Sequence, residues 1–202
     1  MANETLIKDL ENASRIAREA ESAPLLGGSI GLMWASLATI ALMAHGAVLA
    51  GWIDIPVAMT GLIWATYGIL GTILSALLGR RISSKPGCHS LANRAAEGAW
   101  VAGGMMIATF AISLVVAMFM GKIDVVDFNF IPPAAFAISA VINGMLAKLT
   151  GYGYLKFGAI MSGVATAVTL IMVRQPEMYF VAGGLLIVSG VIPAFIETRR
   201  AN

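Results

Sequence analysis

The sequence predicts an all-α membrane protein: a compact bundle of six transmembrane helices, built as three antiparallel hairpins and preceded by an amphipathic N-terminal helix. Of its 202 residues, 58% are hydrophobic and 12% are charged, whereas soluble domains carry about 25% charged residues. The mean hydropathy is +0.84. Because a spanning helix needs about 20 residues, six of them fill most of the chain and leave no space for a separate soluble domain.

Residues 1–24 form the first predicted unit, a cytoplasmic amphipathic helix that begins after Asn3 and ends at Pro24. Its polar face carries three basic and five acidic residues, whereas a helix that grips anionic lipid is rich in Lys and Arg. We therefore expect its apolar stripe to dock on protein, either a partner or the chain's own loops. The stripe consists of Leu6, Leu10, Ala13, Ala17 and Ala20.

Residues 25–202 form the second unit, whose six apolar runs are the predicted spans. Backbone groups in lipid must be hydrogen-bonded within their own segment, so each run is expected to be a helix. The outer links, residues 51–55, 121–129 and 174–177, are short, and short links predict three antiparallel hairpins. The spans are predicted at residues 27–50, 56–78, 97–120, 130–147, 154–173 and 178–196.

Small residues repeat every four positions along the first five spans. Close packing of such rows holds helices together in lipid, where the hydrophobic effect does not. Spans 2 and 5 each carry two rows, so each is expected to touch two neighbours, and a row could also form a homodimer face. The rows are Gly27, Gly31, Ala35 and Thr39 in span 1; Gly68, Thr72 and Ala76 beside Gly71, Ser75 and Gly79 in span 2; Ala99 with Gly103, and Gly104 with Ala108, in span 3; Ala135, Ser139, Asn143 and Ala147 in span 4; and Gly158, Ser162 and Thr166 beside Ala159, Gly163 and Ala167 in span 5.

Basic residues fall almost entirely on one side of the predicted spans. Of the 13 Lys and Arg residues, only Lys122 and Arg174 lie on the other side. Cytoplasmic loops carry an excess of Lys and Arg, so the pattern predicts an inner-membrane protein with both termini in the cytoplasm. The remaining basic residues are Lys8, Arg15, Arg18, Arg80, Arg81, Lys85, Arg94, Lys148, Lys156, Arg199 and Arg200.

Ionisable and polar residues within the spans are the usual markers of transport or proton relay. Here they are few: His45, Tyr67, Glu97 and Asn143. His45 is expected to hydrogen-bond to a neighbouring helix, with a haem or metal ligand as the less favoured alternative. Glu97 is expected in the first turn of span 3, where the helix dipole favours a carboxylate.

The sequence contains no pattern of residues typical of an enzyme, a cofactor site or a nucleic-acid-binding surface. The single cysteine, Cys88, and the adjacent His89 lack the further ligands of a zinc site. The net charge is +2, and no basic stripe of the kind that binds nucleic acid is present. We therefore expect a protein without enzymatic activity and without cofactors, whose partners are the lipid bilayer and a second protein.

Two functions remain open from the sequence. The first is a regulatory or assembly subunit that acts through the N-terminal helix and the loop between spans 2 and 3, where Arg80 and Arg81 are the candidate docking residues. The alternative is a transporter, or its substrate-binding subunit, for an apolar, aromatic or vitamin-like solute. Trp34 and Trp64 are its candidate cavity residues. The chain is about the size of the vitamin-binding subunits of energy-coupling-factor transporters.

Overall fold

Six helices in the computed structural model are long and apolar enough to cross a membrane. The structure describes residue 12 and residues 24–201, so the predicted N-terminal helix lies outside the described residues. The helices are α1 (Gly28–Leu49), α2 (Thr60–Ile82), α3 (Leu91–Phe119), α4 (Ile131–Thr150), α5 (Gly153–Ile171) and α6 (Met178–Leu186), which continues through a π turn (Ile187–Val191) into α7 (Ile192–Arg200).

The helix boundaries follow local chemistry more closely than hydropathy. The third span begins at Leu91, six residues before the predicted start, because the Ser90 hydroxyl caps it by accepting a hydrogen bond from the Asn93 backbone N–H at 3.3 Å. Glu97 therefore lies in the second turn, and the expectation that it occupies the first turn was wrong. The sixth span extends to Arg200, beyond the predicted end at residue 196.

The order of the helices in the bundle follows from their contacts. α2 packs against α1, α1 against the α6–α7 span, that span against α5, α5 against α4, and α4 against α3. The most extensive contact joins α4 and α5, which the sequence assigned to different hairpins. Their link is very short because Gly151 adopts a positive φ of 73°, a conformation open to glycine. The division into three hairpins stays a prediction.

α2 and α3 are the first and last helices in this packing order, and most of their apolar surface is exposed. Only 6% of the apolar window of each is buried inside the protein, against 28% for α1 and 33% for α5. The expectation that α2 touches two neighbours was wrong for the described residues. Its Gly71 packs on Trp34 of α1, but Gly68 in its second small row faces open space.

Contacts between loops define the two ends of the bundle. On one end, which we call the basic face, Leu26 bonds to Asn93, Lys85 bonds to the Ala201 carbonyl, and the Arg200 guanidinium lies over the Tyr152 ring. On the opposite face, Asn129 bonds to the Val173 carbonyl. Both ends of the continuous stretch 24–201 therefore lie on the basic face, together with the loop that joins α2 and α3.

Candidate functional site

Four of the predicted candidate residues, on α1 and α2, have side-chain rings that contact one another in a row. Together with Tyr179 of α6 they form what we call the aromatic cluster: Trp34, Tyr67, Trp64, His45 and Tyr179. The Tyr67 ring contacts Trp34 and Trp64 edge-on, with centroids 5.1 and 5.7 Å apart. At the end nearest the opposite face, His45 stacks on Tyr179 with a centroid distance of 3.9 Å. Such ring contacts contribute about 0.5–1.5 kcal/mol each beyond area burial.

His45 is fixed by a hydrogen bond between helices, as the sequence analysis expected. The Trp64 indole N–H donates to His45 Nδ1 at 2.9 Å, and the imidazole is 9% exposed. Since Nδ1 accepts, the neutral ring must carry its proton on Nε2. Binding a metal through Nε2 would move that proton to Nδ1, where it would face another donor. The bond to Trp64 therefore disfavours metal binding, and the described residues contain no group of three or more metal-ligating side chains.

The polar network continues through residues that the sequence analysis did not select. The Tyr179 hydroxyl donates to Asn129 Oδ1 at 2.6 Å, and Asn129 Nδ2 donates to the Val173 carbonyl at 2.8 Å. Through these bonds α6 is joined to the turn before α4 and to the end of α5. A signal was present in the sequence, because an asparagine beside an apolar span is costly unless its amide is hydrogen-bonded.

We expect Trp64→Phe to destabilise the protein, because it keeps an aromatic ring but removes the donor to His45. Hydrogen bonds between membrane helices contribute about 0.6–2 kcal/mol, so we expect a loss of about 1 kcal/mol. Thermal unfolding in detergent measures it. Trp52→Phe is the matched control, since Trp52 is 74% exposed and stacks on Phe180 through a ring that phenylalanine retains. Equal unfolding temperatures for both variants would contradict the assigned role of the bond.

The indole N–H groups of the two candidate cavity tryptophans are hydrogen-bonded inside the bundle. The Trp34 indole N–H donates to Ser75 Oγ at 2.8 Å, and the Trp34 ring occupies the space that a side chain at Gly71 would fill. With the Trp64 N–H bonded to His45, neither indole N–H is free to bind a solute. What lies beside the cluster is an open groove of about 400 Å³ between α1 and α2, with an almost entirely apolar lining that includes Leu37, Ala41, Leu62 and Tyr67.

The other two polar candidates lie apart from the aromatic cluster. Asn143 is buried on α4, with Nδ2 3.5 Å from the position a Cβ would take at Gly158 of α5. Glu97 is exposed on α3. The structure therefore brings His45 and Tyr67 together and leaves Asn143 and Glu97 at separate places, so the four do not form one relay through the membrane.

A second polar centre, which was not predicted from the sequence, joins three segments of the chain on the basic face. The Asn93 side chain is 9% exposed, and its Oδ1 accepts from the Leu26 backbone N–H at 2.8 Å. Its Nδ2 lies 3.0 Å from the carbonyls of Pro24 and Gly87 and from Ser90 Oγ. One amide thus joins the segment before α1, the loop between α2 and α3, and the first turn of α3.

Apolar contacts reinforce this junction. Leu25 is 2% exposed and packs in a core cluster with residues of α3, α4 and α5, among them Ala96, Leu146 and Leu155. The candidate docking residues Arg80 and Arg81 are exposed at the end of α2, before the loop. Leu6, Leu10, Ala13 and Ala17 lie outside the described residues. The chain entering α1 is therefore fixed beside the loop that follows these arginines.

Compared with known proteins, the chain matches no protein-family model, no curated protein and no solved structure.

Proposed function

We propose that this polytopic membrane protein is a regulatory or assembly subunit that binds a partner protein through the N-terminal helix and the loop between α2 and α3. The observation that carries the proposal is the Asn93 junction. Its bonds to Pro24, Leu26 and Gly87 hold the segment that follows the predicted N-terminal helix beside the loop. The segment after the predicted helix and the loop therefore meet at Asn93, which supports a docking surface made from both.

Charge complementarity supports the same pairing. The predicted N-terminal helix has a net charge of −2, and Arg80, Arg81, Lys85 and Arg94 lie in or beside the loop. Opposite charges at close range attract, and the attraction is screened by salt. We propose that the helix rests on the loop and leaves it when a partner binds, so the exposed Arg80, Arg81 and Arg94 serve both contacts in turn.

The membrane interior favours a role without catalysis or ion transport. Within the described spans, the two indole N–H groups, His45 Nδ1 and the Tyr179 hydroxyl of the aromatic cluster are engaged in hydrogen bonds to other segments. An ion pathway needs charged or hydrated groups along its length, and His45 and Glu97 are far apart on α1 and α3. We propose, from the excess of basic residues on the basic face, that this face lies in the cytoplasm and that the membrane is the inner membrane.

A pull-down from solubilised membranes tests the proposal. Full-length protein is compared with a variant that lacks residues 1–22, a cut that keeps Pro24–Leu26 and the Asn93 bonds. We expect at least one partner to be lost with the deletion and with the double variant Arg80→Glu, Arg81→Glu. Lys122→Glu, on the opposite face, is the matched charge control and should keep the partner. Identical partners for all four proteins, or none for any, would contradict the proposal.

The second candidate function is binding or transport of an apolar or aromatic solute, including a vitamin-like one. The observation that favours it is the apolar groove of about 400 Å³ between α1 and α2, a volume within the range of small-molecule sites. A thermal-shift screen with vitamins and small aromatic metabolites tests it, since a ligand that binds only the folded state raises the unfolding temperature. A solute whose stabilisation disappears in Leu62→Trp, a change at an exposed position of the groove lining, would support it, and no stabilisation by any solute tested would contradict it.

A further inference from the structure

Ser189 is a buried hydroxyl without a partner near the middle of the sixth span. Its side chain is 1% exposed, and its Oγ makes no hydrogen bond among the described residues. It lies in the π turn Ile187–Val191 between α6 and α7. Single π turns inside α-helices are rare and are frequent at functional sites. An unpaired hydroxyl in a region without bulk water costs about 1–3 kcal/mol, so this arrangement requires a physical reason.

The backbone beside Ser189 offers a second polar group. Pro193 stands four residues later and has no N–H, so the Ser189 carbonyl cannot accept the usual helical bond. This carbonyl points at α5, where a Cβ on Gly158 would lie 3.2 Å from the Ser189 oxygen and 3.3 Å from Pro193 Cγ. Glycine at position 158 therefore lets the two backbones approach closely at this carbonyl.

Two further polar side chains border the same place from neighbouring helices. Asn143 Nδ2 on α4 lies 3.5 Å from the same Gly158 Cβ position. Ser162 on α5 is 1% exposed and stands four residues after Gly158, hence on the same helix face. The Ser189 carbonyl and the Asn143 amide thus meet at Gly158, and the buried hydroxyls of Ser189 and Ser162 belong to the same two segments. Because residue 158 is a glycine, no side chain separates this carbonyl from the amide.

We propose that the junction of α4, α5 and the π turn is a binding site for a single water molecule that bridges the Ser189 hydroxyl, the Ser189 backbone carbonyl and Asn143. A neutral ligand fits because the four polar groups named are uncharged, and a cation in lipid requires compensating charge or many oxygens. Water donates twice and accepts twice, and buried waters typically make about three hydrogen bonds to otherwise unsatisfied groups. Such a site would hold α5 and the sixth span together at mid-membrane.

The sign of one stability change distinguishes a hydrated site from a dry one. In a dry site, Ser189→Ala removes an unpaired hydroxyl, so the unfolding temperature should rise. In a hydrated site it removes one of the water's partners, and we expect a fall of about 2–4 °C, corresponding to about 1 kcal/mol. Ser139→Ala is the control, because the Ser139 hydroxyl already bonds to the Ala135 carbonyl within its own helix. A rise, or a change equal to that of the control, would overturn the proposal.

Radiolytic hydroxyl-radical labelling of the wild-type protein reports the water itself, since a bound water produces radicals next to its neighbours. We expect Pro193 to be labelled although it is buried. Phe136, 4% exposed in a core cluster lined by apolar groups, has a more reactive side chain and should stay unlabelled. Labelling of Pro193 should drop at least about twofold in Ser189→Ala. If Pro193 is labelled no more than Phe136, or equally in both proteins, no water is held there.

Discussion

Asn93→Ala is expected to destabilise the protein by about 1–3 kcal/mol, the cost of leaving a buried backbone group, here the Leu26 N–H, without a partner. The variant removes the acceptor for the Leu26 N–H and the donor to the Pro24 and Gly87 carbonyls. Leu26 is buried, so solvent cannot replace the lost acceptor. The segment before α1 should detach from the loop, and the partner lost on deletion of residues 1–22 should also be lost here.

Chemical or thermal unfolding in detergent micelles measures the effect. Arg94→Ala is the matched control, because Arg94 is the next residue of α3 after Asn93 and its side chain is exposed. Surface substitutions of this kind usually change stability by less than about 0.5 kcal/mol. If the two variants unfold alike, Asn93 does not hold the junction, and the main structural support for the proposed docking surface is lost.

Gly28→Ala is expected to destabilise the contact between α1 and α7 by about 1–3 kcal/mol, the usual cost of overpacking. A Cβ at position 28 would lie 2.6 Å from the Thr198 backbone nitrogen and 2.9 Å from Glu197 Cβ. A backbone atom cannot rotate away as the end of a flexible side chain can, so the helices themselves must separate. The loss should therefore fall at the upper end of that range.

Gly27→Ala provides the control at the adjacent position. Its Cβ would lie 3.5 Å from Glu197 Oε1, an ordinary contact, and its φ of −72° suits alanine. Replacing glycine where the conformation suits alanine is neutral or stabilising by about 0.4–1 kcal/mol. The unfolding temperatures of Gly28→Ala and Gly27→Ala are compared to test this prediction. Similar values would show that α1 and α7 do not approach as closely as Gly28 and Thr198 indicate.

Hydropathy predicted where the spans lie but not how they pack. The predicted first span, residues 27–50, differs by one residue at each end from α1, Gly28–Leu49, because a long apolar run has few alternatives in lipid. Small-residue rows could not choose partners, since they occur on five of the six spans. Gly71 packs on Trp34 while Gly68 faces open space, and nothing in the spacing of the two rows distinguishes them.

The candidate sites were predicted in part. His45, Trp64, Tyr67 and Trp34 were selected as rare polar or aromatic groups in apolar spans, and the structure brings them together. Asn93 was missed because it lies six residues along the chain from the loop carbonyl it binds and almost seventy from Pro24. Contacts at such separations depend on the three-dimensional fold. The sequence did contain a local signal for part of this site, because Ser90 followed by Asn93 is the pattern of a helix start.

The functional account requires the basic face to lie in the cytoplasm, and labelling of single cysteines tests this directly. In a Cys88→Ser background, Ser84→Cys reports the loop between α2 and α3, and Asp54→Cys reports the opposite face; both positions are exposed. A membrane-impermeant maleimide is applied to spheroplasts before and after the membrane is opened. We predict that Asp54→Cys reacts in closed spheroplasts and that Ser84→Cys reacts only once they are opened. The reverse pattern would place the basic face outside and contradict the account.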